Sequence, residues 1–254
     1  MEKLIDRLRN RDVLFISTKN KDYIRNQQEI RILKATAKTY EEIVYQDKCY
    51  LKRVLKVYVS CFRTMRTNVD VIFVGFAPQL LLPFLKYWSK RKCVTIDFFI
   101  SFFDTFVYDR EYFKRGSLGA KLMHKIDEIT LRSCQCVIAD TKADKEFFSD
   151  EFHIPPDKIE VLYMEADRKI YNKHKFCMEK MSVLYFGSAL PLQGIEIILD
   201  AVRLLEGEKD ISFMMIGPFR TGCNRKYNDG NVEFYDWMPQ DQLARKIANA
   251  GCKT

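Results

Sequence analysis

Acidic residues surrounded by aromatic ones mark the stretch between positions 95 and 113, TIDFFISFFDTFVYDREYF. Asp97 stands at the carboxyl end of an apolar, strand-like run, and Asp104 follows among Phe and Tyr. Aromatic rings stack on the C–H faces of sugars, carboxylates accept hydrogen bonds from hydroxyl groups, and burial raises a carboxyl pKa toward the range of a general base. The stretch therefore predicts a carbohydrate site with Asp97 and Asp104 as catalytic candidates. The alternative is that Asp104 caps a helix and the Phe residues form core.

A loop bounded by two glycines offers a second kind of chemistry, SVLYFGSALPLQGIEIILDAVRLL at 182–205. Gly187 ends a predicted strand, and Gly194 precedes a predicted helix whose first amides would point into the loop. Close backbone approach and a helix N-terminus together favour an anion such as a diphosphate. The loop contains neither GxGxxG nor GxxxxGK[ST], so an ordinary strand-to-helix turn is the alternative.

Two other loops follow strand-like runs, at the carboxyl ends where parallel sheets bind their ligands. In the loop after 211–216, basic side chains predict contact with a phosphate, whereas the alternative is a polar surface loop. In the loop after the first run, polar side chains are candidates for contacts in the ligand-binding cleft, with plain solvation as the alternative. The candidates are Gly217, Arg220, Arg225 and Lys226 in the later loop, and Lys19, Asn20 and Arg25 in the first loop.

Positive charge is concentrated in one part of the chain. The net charge is +8, and residues 51–96 contain nine Lys or Arg and a single acid, Asp70. A face of one sign predicts an anionic partner such as a membrane surface, a nucleic acid or a polyanionic substrate, and a solvated face without a partner is the alternative. We expect no nucleic-acid partner because no nucleic-acid-binding module is recognisable. The eight Cys and three His lack metal-ligand spacing, which predicts free thiols of a cytosolic protein and no metal site.

The elements that must position these residues alternate between strand-like and helical patterns. Apolar runs of strand length occur at 12–17, 41–45, 69–76, 93–99, 134–140 and within 155–164. Uninterrupted runs separated by helices predict a mostly parallel sheet covered on both faces. A polar segment at 165–180 interrupts the pattern, and strands then follow at 182–187, 211–216 and 231–235. We therefore predict two domains, 1–172 and 173–254, the second with only about three strands.

Two helices have clear local signals. Residues 50–65 place Leu51, Val54, Leu55, Tyr58 and Phe62 at helical spacing, which predicts an amphipathic helix. The helix after the fifth strand is expected to begin at Thr141, whose side chain is a plausible N-cap.

Residues 183–250 resemble a known family. VLYFGSALPLQGIEIILDAVRLL is followed by ISFMMIGPF and then by VEFYDWMPQDQLARKIANA, and VIADTKADKEFF lies at 137–148. In this order the segments resemble a family-4-type (group 1) glycosyltransferase of the GT-B fold, over nearly the whole chain. The PLQGIE form is similar to members that act in bacterial surface-polysaccharide synthesis, such as that of capsules.

The resemblance implies an α/β protein of two Rossmann-like, doubly wound domains that face a cleft. The N-terminal domain would bind the acceptor, and the C-terminal domain would bind a nucleotide-diphosphate sugar. The implied reaction is a retaining transfer of the sugar to a polysaccharide or lipid-linked acceptor, without a metal or other cofactor. It implies that Gly187 and Gly194 flank the diphosphate, that Gly217 lies under the nucleotide, and that Asp97 occupies the acceptor-side catalytic position.

The sequence departs from the family at the donor loop and at its end. Ser188 and Gln193 stand where the family often has Arg and Lys, which removes two cations from the leaving diphosphate. The family's pair of glutamates would fall beyond residue 254, so we expect a truncated second domain with impaired or absent activity.

Two alternatives to a transferase are open. One is a non-catalytic remnant that binds an acceptor or a membrane, and the other is a sugar-nucleotide epimerase of the same fold. Many similar enzymes act on lipid-linked acceptors, so the resemblance gives residues 51–96 an anionic membrane surface as a partner. The expected location is the cytoplasm, including a peripheral position at the inner face of the membrane.

Overall fold

A computed structural model of the chain describes residues 2–65, 68–166, 170–171, 181–188, 193–218 and 231–249. The chain divides into two compact units, Met1–Glu165 and Ala166–Thr254. Both units contain parallel strands and helices, which confirms the predicted α/β class. Most of the predicted link at 165–180 lies outside the described residues, as do Arg220, Arg225 and Lys226.

A six-stranded parallel sheet forms the centre of the first unit. Its strands are β1 (Asp12–Ile16), β2 (Thr39–Ile43), β3 (Val71–Val74), β4 (Cys93–Asp97), β5 (Cys136–Ala139) and β6 (Ile159–Val161). They are ordered β2-β1-β3-β4-β5-β6. Because the strand order reverses between β1 and β3, the loops at their carboxyl ends diverge and leave a crevice there.

Helices cover the sheet. They are α1 (Glu2–Leu8), α2 (Ile24–Thr36), α3 (Tyr50–Thr64), α4 (Leu82–Trp88), α5 (Leu118–Arg132) and α6 (Lys142–Phe152). Short 3-10 turns at Pro78–Leu81 and Pro156–Lys158 and a π-helical segment at Asp104–Asp109 complete the unit. One core cluster includes Trp88, Phe98 and Phe148, and a second includes Leu4 and Phe15. Continuous apolar strands are required here because both faces of the sheet are shielded from water.

Three local predictions need correction. The second strand begins two residues earlier than predicted, and it is polar and largely exposed because it forms the edge of the sheet. The other strands of this six-stranded sheet are shorter than their apolar runs, since the runs continue into buried loop residues such as Phe98. The apolar positions of α3 predicted the helix correctly but not its orientation, because Leu51, Leu55 and Phe62 are exposed. The N-cap at Thr141 is confirmed: its side chain accepts a hydrogen bond from the Asp144 amide.

The second unit has a smaller parallel sheet. Its described strands are β7 (Met181–Phe186), β8 (Ile211–Ile216) and β9 (Val232–Tyr235), in that order. Helices α7 (Ile195–Leu204) and α8 (Gln240–Asn249) follow β7 and β9. Ile195, Leu199 and Met215 form its buried cluster. Among the helices of both units, as far as they are described, none combines the length and apolar character needed to cross a membrane.

Candidate functional site

The loop after β1 is held by Asn26, a fully buried residue that the sequence did not single out. Its amide nitrogen donates to the backbone oxygens of Lys19 (3.2 Å) and Asn20 (2.8 Å), and its side-chain oxygen accepts from Ser17 Oγ (3.2 Å). Lys19 Nζ lies 5.0 Å from the centre of the Phe76 ring, which follows β3. The predicted Lys19 and Asn20 therefore lie at the crevice between the carboxyl ends of β1 and β3.

Arg25 and Asp97, which were predicted separately, form one buried ion pair. Arg25 Nε donates to Asp97 Oδ2 (3.1 Å) and Nη2 donates to Oδ1 (2.9 Å), while Nη1 donates to the backbone oxygen of Leu162. Both side chains are 0% exposed. The solvated alternative for Arg25 is therefore wrong. Because the bidentate pair occupies both carboxylate oxygens of Asp97, it ties α2 to β4 and leaves neither side chain open to solvent.

Glu29 is a third ionisable residue, buried beside Arg25 and Asp97. Its side chain is 0% exposed, and Oε1 lies 3.9 Å from Arg25 Nε. Neither of its oxygens accepts a hydrogen bond from a described residue. Burial, followed by the negative charge of Asp97, raises the pKa of Glu29 well above its ordinary value. The fold therefore favours the protonated form of Glu29 beside a neutralised ion pair, and nothing in the helical pattern of α2 predicted this.

Carboxylates also gather at the carboxyl ends of β4 and β5. Asp140 directly follows β5, and burial together with a hydrogen bond to Asp144 raises the pKa of Asp140 to about 7. Burial and then the charges of Asp144 and Asp109 raise the pKa of the predicted Asp104. A carboxyl group that titrates near neutral pH can take up and release a proton during a reaction. Asp140 was missed although its place after an apolar run was a usable signal.

Asp127 on α5 fixes the segment that contains Asp104. The buried Asp127 carboxylate accepts hydrogen bonds from Gln79 Nε2 (2.9 Å), Ser101 Oγ (2.7 Å) and the Phe103 amide (2.8 Å). Ser101 Oγ in turn accepts from the Asp104 amide (3.0 Å). Asp104 is the first residue of the π-helical segment and its N-cap position belongs to Phe103, so the helix-cap alternative for Asp104 is wrong.

The aromatic residues of the stretch 95–113 divide into core residues and exposed residues. Phe103 is buried in the core, whereas Tyr112 is exposed and stacks on Phe106, with ring centres 5.9 Å apart. Phe113 packs on the backbone of Gly119, where an added Cβ would lie 2.4 Å from its ring. The exposed ring of Tyr112, stacked on the partly buried Phe106, is a surface that suits the C–H face of a sugar.

In the second unit, the predicted donor-loop residues lie close together. Tyr185 Oη lies 2.6 Å from Gln193 Oε1 and 3.0 Å from the backbone oxygen of Ser188. A Cβ at Gly187 would lie 3.3 Å from Gln193 Oε1, so this turn has little room for a larger residue. Gly194 has a φ of +60° and occupies the N-cap position of α7. The described side chains of the loop are neutral, and the amides of α7 are its electropositive feature.

Gly217 follows β8, and its amide donates to the backbone oxygen of Tyr235 at 2.9 Å. It therefore lies at the same carboxyl edge of the small sheet as Gly187, whose amide donates to Ile216 at 3.0 Å. Arg220, predicted as the next donor contact, is outside the described residues. Where the structure is described, no group of three or more His, Cys, Asp or Glu side chains could hold a metal ion.

No family model matches the sequence, and none of the curated proteins is significantly similar to it. Solved structures do resemble the chain. HepE from Anabaena in complex with UDP and glucose has 14% identity and a TM-score of 0.61, with 96% of this chain and 73% of HepE covered. Sucrose-phosphate synthase from Thermosynechococcus elongatus has 11% identity and a TM-score of 0.60, with 94% and 73% covered. The lipopolysaccharide outer core galactosyltransferase WaaB has 14% identity and a TM-score of 0.57, with 94% and 71% covered.

These similarities define the fold: the chain has the GT-B architecture of glycosyltransferases, with two Rossmann-like α/β units. The predicted fold class is thereby confirmed. The chain spans about 71–73% of the length of the three structures compared.

Proposed function

We propose that the protein is a glycosyltransferase that moves a sugar from a nucleotide-diphosphate sugar to a polysaccharide or lipid-linked acceptor. The observation that carries the proposal is the GT-B fold together with a glycine loop at the N-terminus of α7 and carboxylates at the carboxyl edge of the six-stranded sheet. HepE, whose structure contains UDP and glucose, has this fold and supports a nucleotide sugar as the donor. The order of motifs in 183–250 further supports a retaining, family-4-type enzyme of surface-polysaccharide or capsule synthesis.

On the donor side, the diphosphate would lie in the loop between Gly187 and Gly194. The first amides of α7 would stabilise the leaving diphosphate, and Gly217 would lie under the nucleotide. Ser188 and Gln193 add no positive charge, so the proposed pocket relies on backbone dipoles and on Arg220 for its complementarity to the phosphates. In a front-side, retaining displacement the acceptor oxygen would bond to the anomeric carbon on the face from which the diphosphate leaves. The bond between that carbon and the diphosphate oxygen would break, and the leaving phosphate would orient the acceptor hydroxyl group by a hydrogen bond.

On the acceptor side, the buried pairing of Asp97 argues for a positioning role. Arg25 and Asp97 would fix the carboxyl ends of β4 and β6, with Lys19 and Asn20 at the neighbouring crevice contacting the acceptor. Asp140 is the better placed candidate for proton transfer, because it is only half-buried and titrates near neutral pH. Asp104 would accept a hydrogen bond from an acceptor hydroxyl group.

Nucleotide binding tests the proposal directly. Calorimetric titration of the chain with UDP-sugars and GDP-sugars is expected to show saturable binding. Gly194→Ala, which forces a residue with a Cβ into φ +60°, is expected to weaken it. Gly207→Ala is the matched control, since Gly207 also has a positive φ (+104°) but has nothing within 4 Å of an added Cβ. Absence of binding to every nucleotide sugar would contradict the enzyme proposal.

Two alternatives give different results in the same experiment. A non-catalytic acceptor- or membrane-binding protein would bind glycan or vesicles but no nucleotide. A sugar-nucleotide epimerase would convert the donor sugar without an acceptor, which NMR of the titrated mixture would reveal. For the transferase we propose the cytoplasm as location, at the inner face of the membrane, with the basic segment 51–96 toward anionic lipid.

A further inference from the structure

Helix α3 has two unlike faces. Arg53, Val57 and Cys61 recur every fourth residue and are buried against the sheet. The opposite side forms what we term the α3 ridge, a stripe of apolar residues at positions i, i+4, i+8 and i+11. Its exposed fractions are 77% for Leu51, 66% for Leu55, 44% for Val59 and 65% for Phe62. An apolar face of the kind that normally packs against a core is thus exposed to solvent.

The ridge is held rigidly rather than exposed by a loose helix. Arg53 anchors the first turns of α3 by donating to the backbone oxygens of Thr18 (3.4 Å) and Asp47 (2.6 Å). Toward its end, Tyr45 and Ser60 hydroxyls lie 2.6 Å apart, and the Phe62 ring packs edge-on against Phe84 at 4.9 Å. Because the apolar stripe is already rigid, it loses little conformational entropy when it enters an apolar phase.

Cations border the ridge on one side. Lys52, Lys56 and Arg63 recur at positions i, i+4 and i+11 beside it, and α3 contains no acid. Asp47, which precedes the helix, pairs with Lys56 at 2.8 Å. Three more exposed cations, Lys86, Lys90 and Arg91, lie on or just after α4, the helix that Phe62 contacts through Phe84. Helix α3 and the segment 86–92 on and after α4 therefore contain cations and no acid.

We propose that the α3 ridge inserts into the boundary between headgroups and acyl chains of an anionic bilayer, with the bordering cations on the headgroups. Charge decides between a bilayer and a second copy of the chain. A two-fold pair formed on the ridge would bring the cations of both copies together, whereas anionic lipid neutralises them. The inference deepens the membrane partner named under the proposed function and assigns it to specific side chains.

The test is co-sedimentation of the full chain with vesicles of phosphatidylcholine, with and without about one third phosphatidylglycerol. We expect binding to the anionic vesicles that weakens as salt is added. Leu51→Gln/Leu55→Gln is expected to weaken it by roughly tenfold or more, because two apolar side chains no longer leave water. Leu118→Gln/Leu122→Gln is the matched control: these α5 leucines are also four residues apart and are 85% and 57% exposed.

Three results would overturn the proposal: no binding of the unaltered chain to anionic vesicles, equal binding by the α3 double variant, or an equal loss in the α5 control. A dimer that Leu51→Gln/Leu55→Gln dissolves in sedimentation equilibrium would assign the ridge to a second copy instead. Circular dichroism checks folding, which these exposed substitutions are expected to preserve. Nucleotide titration is independent of vesicle binding, so failure of the transferase proposal is distinguishable from failure of this one.

Discussion

Replacing Glu29 by Gln tests the assignment of a neutral carboxyl group beside the Arg25–Asp97 pair. Glu29 is wholly buried, and ionising it would place a second negative charge next to a pair that is already neutral. Its pKa is therefore higher in the folded chain than in the unfolded chain. Above the unfolded value of about 4.3, folding must then retain a proton that the unfolded chain releases.

The sign and size of the effect follow from proton linkage. As the pH rises above the unfolded pKa, the folded state binds more protons than the unfolded state, so stability falls. The loss is about 1.4 kcal/mol per pH unit while Glu29 stays protonated. Gln is neutral at every pH in both states and lacks this slope. Any constant cost of the buried amide leaves the slope unchanged, so the difference in slope is the diagnostic quantity.

Urea unfolding at pH 5, 6 and 7 measures this slope in the first unit. The chain has two Trp residues, and Trp237→Phe leaves the buried Trp88 as the sole tryptophan, which reports on unfolding of the first unit. In that background we expect Glu29→Gln to gain about 1.4 kcal/mol per pH unit relative to the parent, over the pH range in which the folded parent keeps Glu29 protonated. Glu41→Gln, at an exposed position of β2, is the matched control and should follow the parent. Parallel curves for Glu29→Gln and its parent would refute the assignment of a neutral Glu29.

Three further predictions concern other parts of the site. Asp127→Ala leaves three hydrogen-bond donors without their acceptor. We therefore expect the free energy of unfolding of the first unit, measured with the Trp88 probe, to fall by about 3–5 kcal/mol. A fall of less than about 1 kcal/mol would contradict the anchoring role of Asp127. Ser188→Arg/Gln193→Lys adds two cations at the donor loop and should strengthen UDP-sugar binding in calorimetry by roughly tenfold or more, whereas unchanged affinity would argue against a diphosphate there. If Asp140 is the base, transfer should increase as the pH rises through about 7, where Asp140 loses its proton. Asp140→Asn should lower kcat by about 10²-fold or more and abolish this pH dependence, and a variant that retains it would exclude the role.

Much of the fold was predictable because parallel strands leave a strong local signal. A strand shielded on both faces must be apolar throughout, so runs such as Val71–Val74 can be recognised as strands in the sequence. The glycine before α7 was also predictable, since the positive φ of Gly194 favours glycine at this position. Among the described strands, the exposed edge strand β2 was misplaced most, by two residues, because it lacks the apolar run of a central strand.

The partners of the charged residues were not predictable. Arg25 and Asp97 are separated by 72 positions, and they meet only because the sheet places α2 beside the carboxyl end of β4. The same packing buries Glu29, which by composition alone belongs on a solvated helix face, and turns the apolar stripe of α3 outward while Arg53 is buried. The sequence by itself determined where strands, helices and glycine turns occur, because these depend on neighbours along the chain. Tertiary structure alone decided which carboxyl groups have raised pKa values and which are paired or open to solvent, since desolvation and charge depend on neighbours in space.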